Sequence, residues 1–166
     1  MNHLPENFLE HALSIDDTFQ FRCNQCGECC KNREDILISP FDLFRLSRYL
    51  NMKPTEFVDR YCTTYIGQNS RLPVVIFKAV GEEQICPMLQ DNHCSVHVAK
   101  PTICALYPLG RAVRVEPDGK PEVFYFLNGS ICGAEDETHT VREWLSEFDL
   151  QNSTAWFLTW QKAISR

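Results

Sequence analysis

The sequence predicts a small, single-domain α+β protein with a β-hairpin and several helices organised around cysteine-ligated metal sites. Three observations lead to this prediction: apolar residues recur at helical spacing in several segments, one segment has the signature of a hairpin turn, and nine cysteines lie mostly between these elements. With 166 residues, of which 44% are hydrophobic, the chain can bury an apolar core of its own. Metal therefore need not supply the whole free energy of folding.

Two helices are predicted in the first half of the chain. Ser39, Pro40 and Asp42 form the pattern of a capping box with proline in the first turn, so a helix should begin here and run to about Leu50. A second helix should follow Pro54. Its apolar stripe is formed by Phe57, Val58, Tyr61 and Cys62.

The second half combines strands with two further helices. Residues 72–80 are rich in β-branched and aromatic side chains, which favours a half-buried strand. The turn sequence Pro117-Asp118-Gly119 lies between two apolar segments and predicts a β-hairpin. Residues 141–148 and 155–164 have helical periodicity. Their tryptophans, which we expect in the core, are Trp144, Trp156 and Trp160.

The composition limits where in the cell the protein is expected and which classes of partner it is expected to bind. The formal net charge is −6, which argues against non-specific nucleic-acid binding. No apolar segment approaches the length that spans a bilayer, and the first residues do not resemble a secretory signal. We therefore expect a cytoplasmic protein without a membrane partner. Residues 1–20 should be an N-terminal extension, residues 21–135 the metal-binding domain, and residues 136–166 helices packed on that domain.

Cysteine is the most unusual component of this chain. Thiols in the cytoplasm stay reduced, which makes metal ligation a better explanation than disulfides. Cys62 ends an apolar helical stripe and is interpreted as a small buried hydrophobe. The remaining eight are the candidate ligands for a metal or cofactor: Cys23, Cys26, Cys29, Cys30, Cys86, Cys94, Cys104 and Cys132.

The first four candidates form one dense cluster, Cys23-Asn24-Gln25-Cys26-Gly27-Glu28-Cys29-Cys30. A Cys-x-x-Cys pair lets two thiolates converge on one metal, and Gly27 permits a left-handed turn after the second cysteine. Because adjacent side chains usually diverge, Cys29 and Cys30 are expected to serve two neighbouring sites or different irons. Arg22, Lys31 and Arg33 either offset the thiolate charge or form a solvated basic surface.

Thiolate is a soft ligand that selects zinc or iron–sulfur clusters. The Cys-x-x-Cys-x-x-Cys run with a remote Cys86-Pro87 has the outline of ferredoxin ligation, which favours an iron–sulfur cluster, of the 4Fe–4S type, with zinc as the alternative. His93 and His97 flank Cys94 and leave open a mixed Cys/His zinc site. The sequence does not assign these two histidines a role.

The first cluster also carries a family resemblance. Residues 21–30, together with Ile36, Pro40, Asp42 and Leu46, resemble the opening of the YkgJ-like cysteine-cluster proteins, a family regarded as zinc- or iron-chelating. The second block of that family reads roughly Cys-Pro-x-Leu, Cys-x-Ile-Tyr and Arg-Pro-x-x-Cys-Arg-x-Tyr-Pro. Residues 86–89, 94–97 and 100–108 match it in order and spacing. Four positions depart from the pattern and leave the cysteines intact: Val96, His97, Lys100 and Ala105.

The resemblance implies a metal-binding protein and leaves its activity open. We expect one or two iron–sulfur clusters; the alternatives are a zinc-binding structural or metal-delivery domain and a cluster-dependent redox or protein-modifying enzyme. A similar cluster occurs in flagellin lysine methylases, but this chain has no glycine-rich nucleotide loop. Metal ions or clusters are the expected partners, and a protein partner or substrate remains open.

Overall fold

Short antiparallel strand pairs and helices alternate along the chain in a computed structural model that describes residues 11–68, 71–115, 120–129 and 132–164. The described helices are α1 (Pro40–Tyr49), α2 (Pro54–Tyr61), α3 (Thr102–Leu106), α4 (Val141–Glu147) and α5 (Leu150–Ile164). The described strands are β1 (Thr18–Arg22), β2 (Cys62–Ile66), β3 (Pro73–Phe77), β4 (Leu89–Gln90), β5 (His93–Cys94), β6 (Leu109–Val115), β7 (Pro121–Leu127) and β8 (Ala134–Thr140). The predicted α+β class is confirmed.

The predicted start of α1 is confirmed in detail. The Ser39 hydroxyl accepts a hydrogen bond from the Asp42 N–H at 3.1 Å, and the Asp42 carboxylate accepts one from the Ser39 N–H at 3.2 Å. These reciprocal bonds satisfy two backbone donors that the first turn leaves without helical partners. α2 also begins at its predicted proline, but Cys62 lies outside it. The backbone becomes extended at Cys62, which pairs with Phe77 as the first residue of β2.

The strands form four antiparallel pairs within the described residues, β1–β8, β2–β3, β4–β5 and β6–β7. The predicted hairpin is confirmed as β6–β7, while its turn at residues 116–119 lies outside the described residues. β8 was not predicted, because its acidic sequence Ala-Glu-Asp-Glu-Thr-His-Thr lacks apolar alternation. The pairing with β1 is supported at the surface by Arg22, which contacts the Asp136 carboxylate at 2.6 Å.

Two hydrophobic clusters support the fold. The first is centred on β1, α4 and the start of α5, and includes Phe21 and Trp144. The second joins α1, α2, β3 and the Cys86–Val96 segment, and includes Phe57 and Cys86. Residues of α3 contact both clusters. The cysteine-bearing segments therefore lie where the two clusters meet.

The predicted burial of the tryptophans is correct for one of the three. Trp144 is 4% exposed, whereas Trp156 and Trp160 are 61% and 47% exposed. α5 begins at Leu150, earlier than predicted, and Leu150 and Ser153 in its first turn are buried, whereas both tryptophans lie in later turns that the core does not cover. Within the described residues, no helix is long and apolar enough to cross a membrane.

Candidate metal centre

The loop that follows β1 brings the first four cysteines into a tight turn. Gln25 and Gly27 adopt left-handed backbone angles, with φ of 54° and 77°. A 3-10 turn over Glu28–Cys30 follows, in which the Cys30 N–H donates to the Gly27 carbonyl at 2.9 Å. A Cβ atom at position 27 would lie 3.0 Å from Leu89 Cδ1 and 3.2 Å from the Asn92 carbonyl oxygen. The predicted need for glycine is confirmed by both the turn and this contact.

Backbone hydrogen bonds join this loop to the segment that carries Cys86. The Cys86 N–H donates to the Cys30 carbonyl at 2.8 Å. The N–H groups of Asn32 and Arg33 donate to the carbonyls of Glu83 and Gln84 at 3.0 and 3.2 Å. These bonds place Cys86 beside the cysteine cluster of residues 23–30.

The β4–β5 hairpin brings Cys94 to the same region. Asp91 and Asn92 form its turn with φ of 48° and 61°, and Leu89 pairs with Cys94. The Gly27 loop packs against this turn. A two-residue turn with both residues left-handed fits the twist of paired strands, so the hairpin fixes the register of Cys94.

Cys104 and Cys132 lie on two further segments, α3 and the residues before β8. Cys104 lies on α3, whose first N–H, that of Thr102, donates to the Asp42 carboxylate at 2.8 Å. Cys132 precedes β8, and the pairing of Arg22 with Ala134 places Cys132 near the cysteine cluster of residues 23–30. Gly133 has φ of 95°, and a Cβ there would lie 2.3 Å from Phe21 Cε2. Only glycine fits at position 133, because a side chain there would overlap Phe21.

Eight thiols interact with one another in this region. The Cys29 thiol lies close enough to those of Cys30 and Cys132 for them to affect its pKa, and Cys132 is similarly affected by Cys26. Cys86, Cys94 and Cys104 lie within electrostatic range of one another and of Cys29, and Cys94 is also within range of Cys23. Cys29 and Cys30 lie on the same 3-10 turn and interact with each other, and their assignment to different centres stays a prediction.

A cavity of about 1720 Å³ extends across much of the fold and reaches these thiols. Its wall includes Cys23, Cys29, Cys30, Cys86, Cys94, Cys104 and Cys132. Among the described residues, however, no three Cys, His, Asp or Glu side chains already stand in the arrangement of a metal site. The fold thus gathers the thiols in one neighbourhood, while their division into ligand sets remains a prediction.

Some features around the thiols raise their pKa values, and others lower them. Burial raises the pKa of Cys86 to about 11, and it also raises the pKa values of Cys94 and Cys104. For Cys29, the hydrogen bond with Cys30 is the largest cause of a raised pKa, followed by burial. A metal ion that binds here must displace the thiol protons, so its binding is coupled to proton release.

Backbone N–H groups reduce the pKa rise at two of these sulfurs. The Met88 N–H interacts with the Cys86 sulfur, and the Val96 N–H interacts with the Cys94 sulfur. In both cases the donor lies two residues after the cysteine. Hydrogen bonds to a ligand sulfur stabilise its thiolate form and tune the metal that it holds.

Cys62 lies apart from this network. It is 8% exposed and packs in the second hydrophobic cluster. Burial alone raises its pKa to about 12, with no contribution from another thiol. Its predicted burial as a small apolar side chain is confirmed, although it lies on a strand and not on a helix.

The cations near the thiols are only partly those that the sequence indicated. Arg22 and Lys31 form surface ion pairs with Asp136 and Glu28. Arg33 contacts Asp35 at 2.6 Å, donates to the Cys29 carbonyl at 3.4 Å, and lies within electrostatic range of Cys104. Lys100, to which the sequence gave no role, lowers the pKa values of both Cys29 and Cys94. In the sequence, only the position of Lys100 within the second cysteine block indicated that it lies near the thiols.

The donor set and its order along the chain identify the family. The profile of the CxxCxxCC family, described as "Putative zinc- or iron-chelating domain", matches residues 22–138. The chain belongs to this family. Comparisons with curated proteins and with solved structures found no match. The CxxCxxCC match extends beyond Pro108, where the resemblance seen in the sequence ended, and includes Cys132.

The two histidines near Cys94 differ in their surroundings. His93 is exposed, and its Nδ1 lies 2.8 Å from the Asp91 carbonyl oxygen. His97 is half-buried and packs edge-on against Phe148. Burial, followed by the Lys100 charge, lowers the pKa of His97, and its buried Nε2 has no hydrogen-bond partner among the described residues. Neither imidazole belongs to the interacting group of thiols.

Proposed function

We propose that this protein holds one or two iron–sulfur clusters, with 4Fe–4S as the favoured type. The proposed ligands are drawn from the eight interacting cysteines, Cys23, Cys26, Cys29, Cys30, Cys86, Cys94, Cys104 and Cys132. The observation that supports the proposal most is that five separate segments bring these thiols together while the ninth, Cys62, is left in the core. Membership of a zinc- or iron-chelating family supports metal binding itself.

The donor chemistry fits such a group. All eight candidates are thiols, and soft thiolate donors suit iron–sulfur clusters and zinc better than magnesium or calcium. The contact between Cys29 and Cys30 favours a polynuclear group, because a cluster offers several iron atoms to neighbouring thiolates. The Met88 and Val96 N–H groups supply the sulfur hydrogen bonds that tune cluster potentials.

The chain's own residues would bind and shield the group. A bound cluster would supply one-electron chemistry. Cys86 and Cys104 lie beside the second hydrophobic cluster, which limits water around their sulfurs. All nine cysteines are free thiols in the structure, so none of the eight candidates is occupied by a disulfide. Zinc is the alternative occupant, in a structural or metal-delivery domain, because zinc accepts any tetrahedral set of four thiolates.

The experiment that tests this proposal is metal and sulfide analysis of the full chain, purified without oxygen. We expect brown protein that contains iron and acid-labile sulfide in comparable amounts. Cys62→Ser should retain this content, whereas Cys104→Ser should lose part of it. Colourless anaerobic protein with stoichiometric zinc and no sulfide would overturn the iron–sulfur assignment in favour of zinc. Protein without any bound metal would overturn both.

A further inference from the structure

The Lys100 residue is mostly buried and has no carboxylate partner among the described residues. It is 8% exposed, and its ammonium nitrogen lies 4.0 Å from the centre of the Phe148 ring. It forms no ion pair or hydrogen bond with any side chain in the part of the chain that the structure describes. Glu147 is close enough to influence His97, but it forms no ion pair with Lys100. Lysine is rarely buried to this degree unless its charge is balanced.

Lys100 and most of the candidate ligands border the same cavity. The Lys100 charge acts on the thiols of Cys29 and Cys94, which are among them. Pro101 follows it, and α3 begins immediately afterwards at Thr102. The Thr102 N–H and hydroxyl are both held by the Asp42 carboxylate, at 2.8 and 2.7 Å. The backbone next to Lys100 is therefore anchored, and the cation is held beside the cysteines.

We propose that Lys100 is the counter-cation of the thiolate–metal centre, positioned to offset the negative charge that accumulates on Cys29, Cys94 and the metal they hold. This inference rests on the proposed function. Four thiolates around one divalent ion leave a net negative charge, and a buried ammonium nearby stabilises that charge strongly because little water screens it. Arg33 acts on two other remote thiols, Cys86 and Cys104, and its guanidinium also contacts Asp35.

The proposal predicts that removing the Lys100 charge has opposite effects on the stripped and the metal-loaded protein. Without metal, Lys100 has no carboxylate partner among the described residues to balance its charge. With metal, the same charge is paired with the centre. Lys100→Met keeps the length and apolar stem of the side chain and removes the charge. It should weaken metal binding while leaving the stripped protein at least as stable as the parent.

The test uses stripped, reduced full-length protein and Zn²⁺ as the probe, with affinity measured by competition with a chromogenic chelator. Lys100→Met should bind Zn²⁺ about 10- to 100-fold more weakly, the usual range for residues that support metal ligands. Lys100→Arg should stay close to the parent. The control is Lys78→Met, which removes an exposed lysine and should change nothing.

The urea denaturation midpoint of each stripped variant is measured in parallel. Unchanged Zn²⁺ affinity in Lys100→Met would overturn the proposal. An equal fall in the midpoints of stripped and loaded Lys100→Met would also overturn the proposal, because that result would indicate a packing role against Phe148. Failure of the parent protein to take up any metal would instead contradict the proposed function, so the two failures are distinguishable.

Discussion

The Cys86 N–H donates a 2.8 Å hydrogen bond to the Cys30 carbonyl, which fixes the two cysteine blocks to each other through the backbone. Cys86 is 5% exposed and belongs to the second hydrophobic cluster, and Cys30 packs against that cluster. The same residues thus contribute both a candidate metal ligand and part of the apolar core. Core packing and metal binding should therefore be coupled.

Metal removal should destabilise the whole fold and not only the metal site. The candidate ligands come from separate segments, so the free energy of metal binding contributes to folding. A loss of about 5 kcal/mol would lower the melting temperature by roughly 10–20 °C for a domain of this size. Calorimetry of anaerobic protein before and after chelation measures the change, and metal added back should reverse it. An unchanged melting temperature in fully stripped, reduced protein would contradict a structural role.

The sequence predicted best those elements whose signals are local. The capping residues Ser39 and Asp42 identified the start of α1, and the apolar segments on either side of Asp118 predicted the β6–β7 pair. The left-handed conformation of Gly27 followed from its place after a Cys-x-x-Cys pair. Each of these features depends on a few neighbouring residues, so a single sequence contains the information.

Features that depend on distant contacts were not predictable in this way. β8 has no apolar alternation, and it forms a strand because β1 supplies its backbone partners. Trp156 has helical spacing but lies on the exposed side of α5, where it stacks on Phe41 with ring centres 6.0 Å apart. Lys100 acquires its place beside Cys29 only through the packing of α3. Sequence spacing does not show which face of an element is covered.

Cys62 should be dispensable for metal binding although it is buried. Cys62→Ala removes one sulfur atom from the second hydrophobic cluster and should lower the free energy of unfolding by about 1 kcal/mol. The metal content per chain should not change, because no other thiol interacts with Cys62. The matched comparison is Cys104→Ala, which should lose metal. Metal loss from Cys62→Ala comparable to that from Cys104→Ala would show that Cys62 is a ligand.

The same residue should make stability depend on alkaline pH. An unperturbed thiol loses its proton near pH 9.0, whereas burial raises the pKa of Cys62 to about 12. Between these values the folded state binds more protons than the unfolded state, so the free energy of unfolding falls as the pH rises. Urea denaturation of the parent and Cys62→Ala between about pH 8 and about pH 10.5 measures this difference. The parent should lose stability relative to the variant, and a constant difference would contradict the raised pKa.

Asp42 should be more important for stability than an ordinary helix cap. Its carboxylate accepts hydrogen bonds from Ser39 at one oxygen and from Thr102 at the other, and the Thr102 hydroxyl also contacts the Ser153 hydroxyl at 2.8 Å. Asp42→Asn replaces one acceptor by a donor and should lower the free energy of unfolding by about 3 kcal/mol. Thr102→Val keeps the backbone bond and should lower it by only about 1 kcal/mol. Chemical denaturation of loaded protein compares them, and equal losses would contradict the role assigned to the carboxylate.

The adjacent pair Cys29 and Cys30 should contribute unequally to metal binding. The Cys29 thiol interacts with those of Cys30 and Cys132 and lies within electrostatic range of Cys86, Cys94 and Cys104. Cys30 packs against the second hydrophobic cluster. If the two cysteines serve different centres or different irons, as the sequence predicted, Cys29→Ser should remove more metal than Cys30→Ser, because Cys29 interacts with thiols from several segments.

Iron, sulfide and zinc content, together with visible absorption, should be compared for both serine variants after anaerobic purification. Cys62→Ser is the matched control, since it makes the same chemical change at a cysteine outside the group of interacting thiols. We expect the two variants to differ in both metal content and spectrum. Identical and complete loss of metal from both would contradict separate roles, and it would indicate a single centre that requires both thiolates.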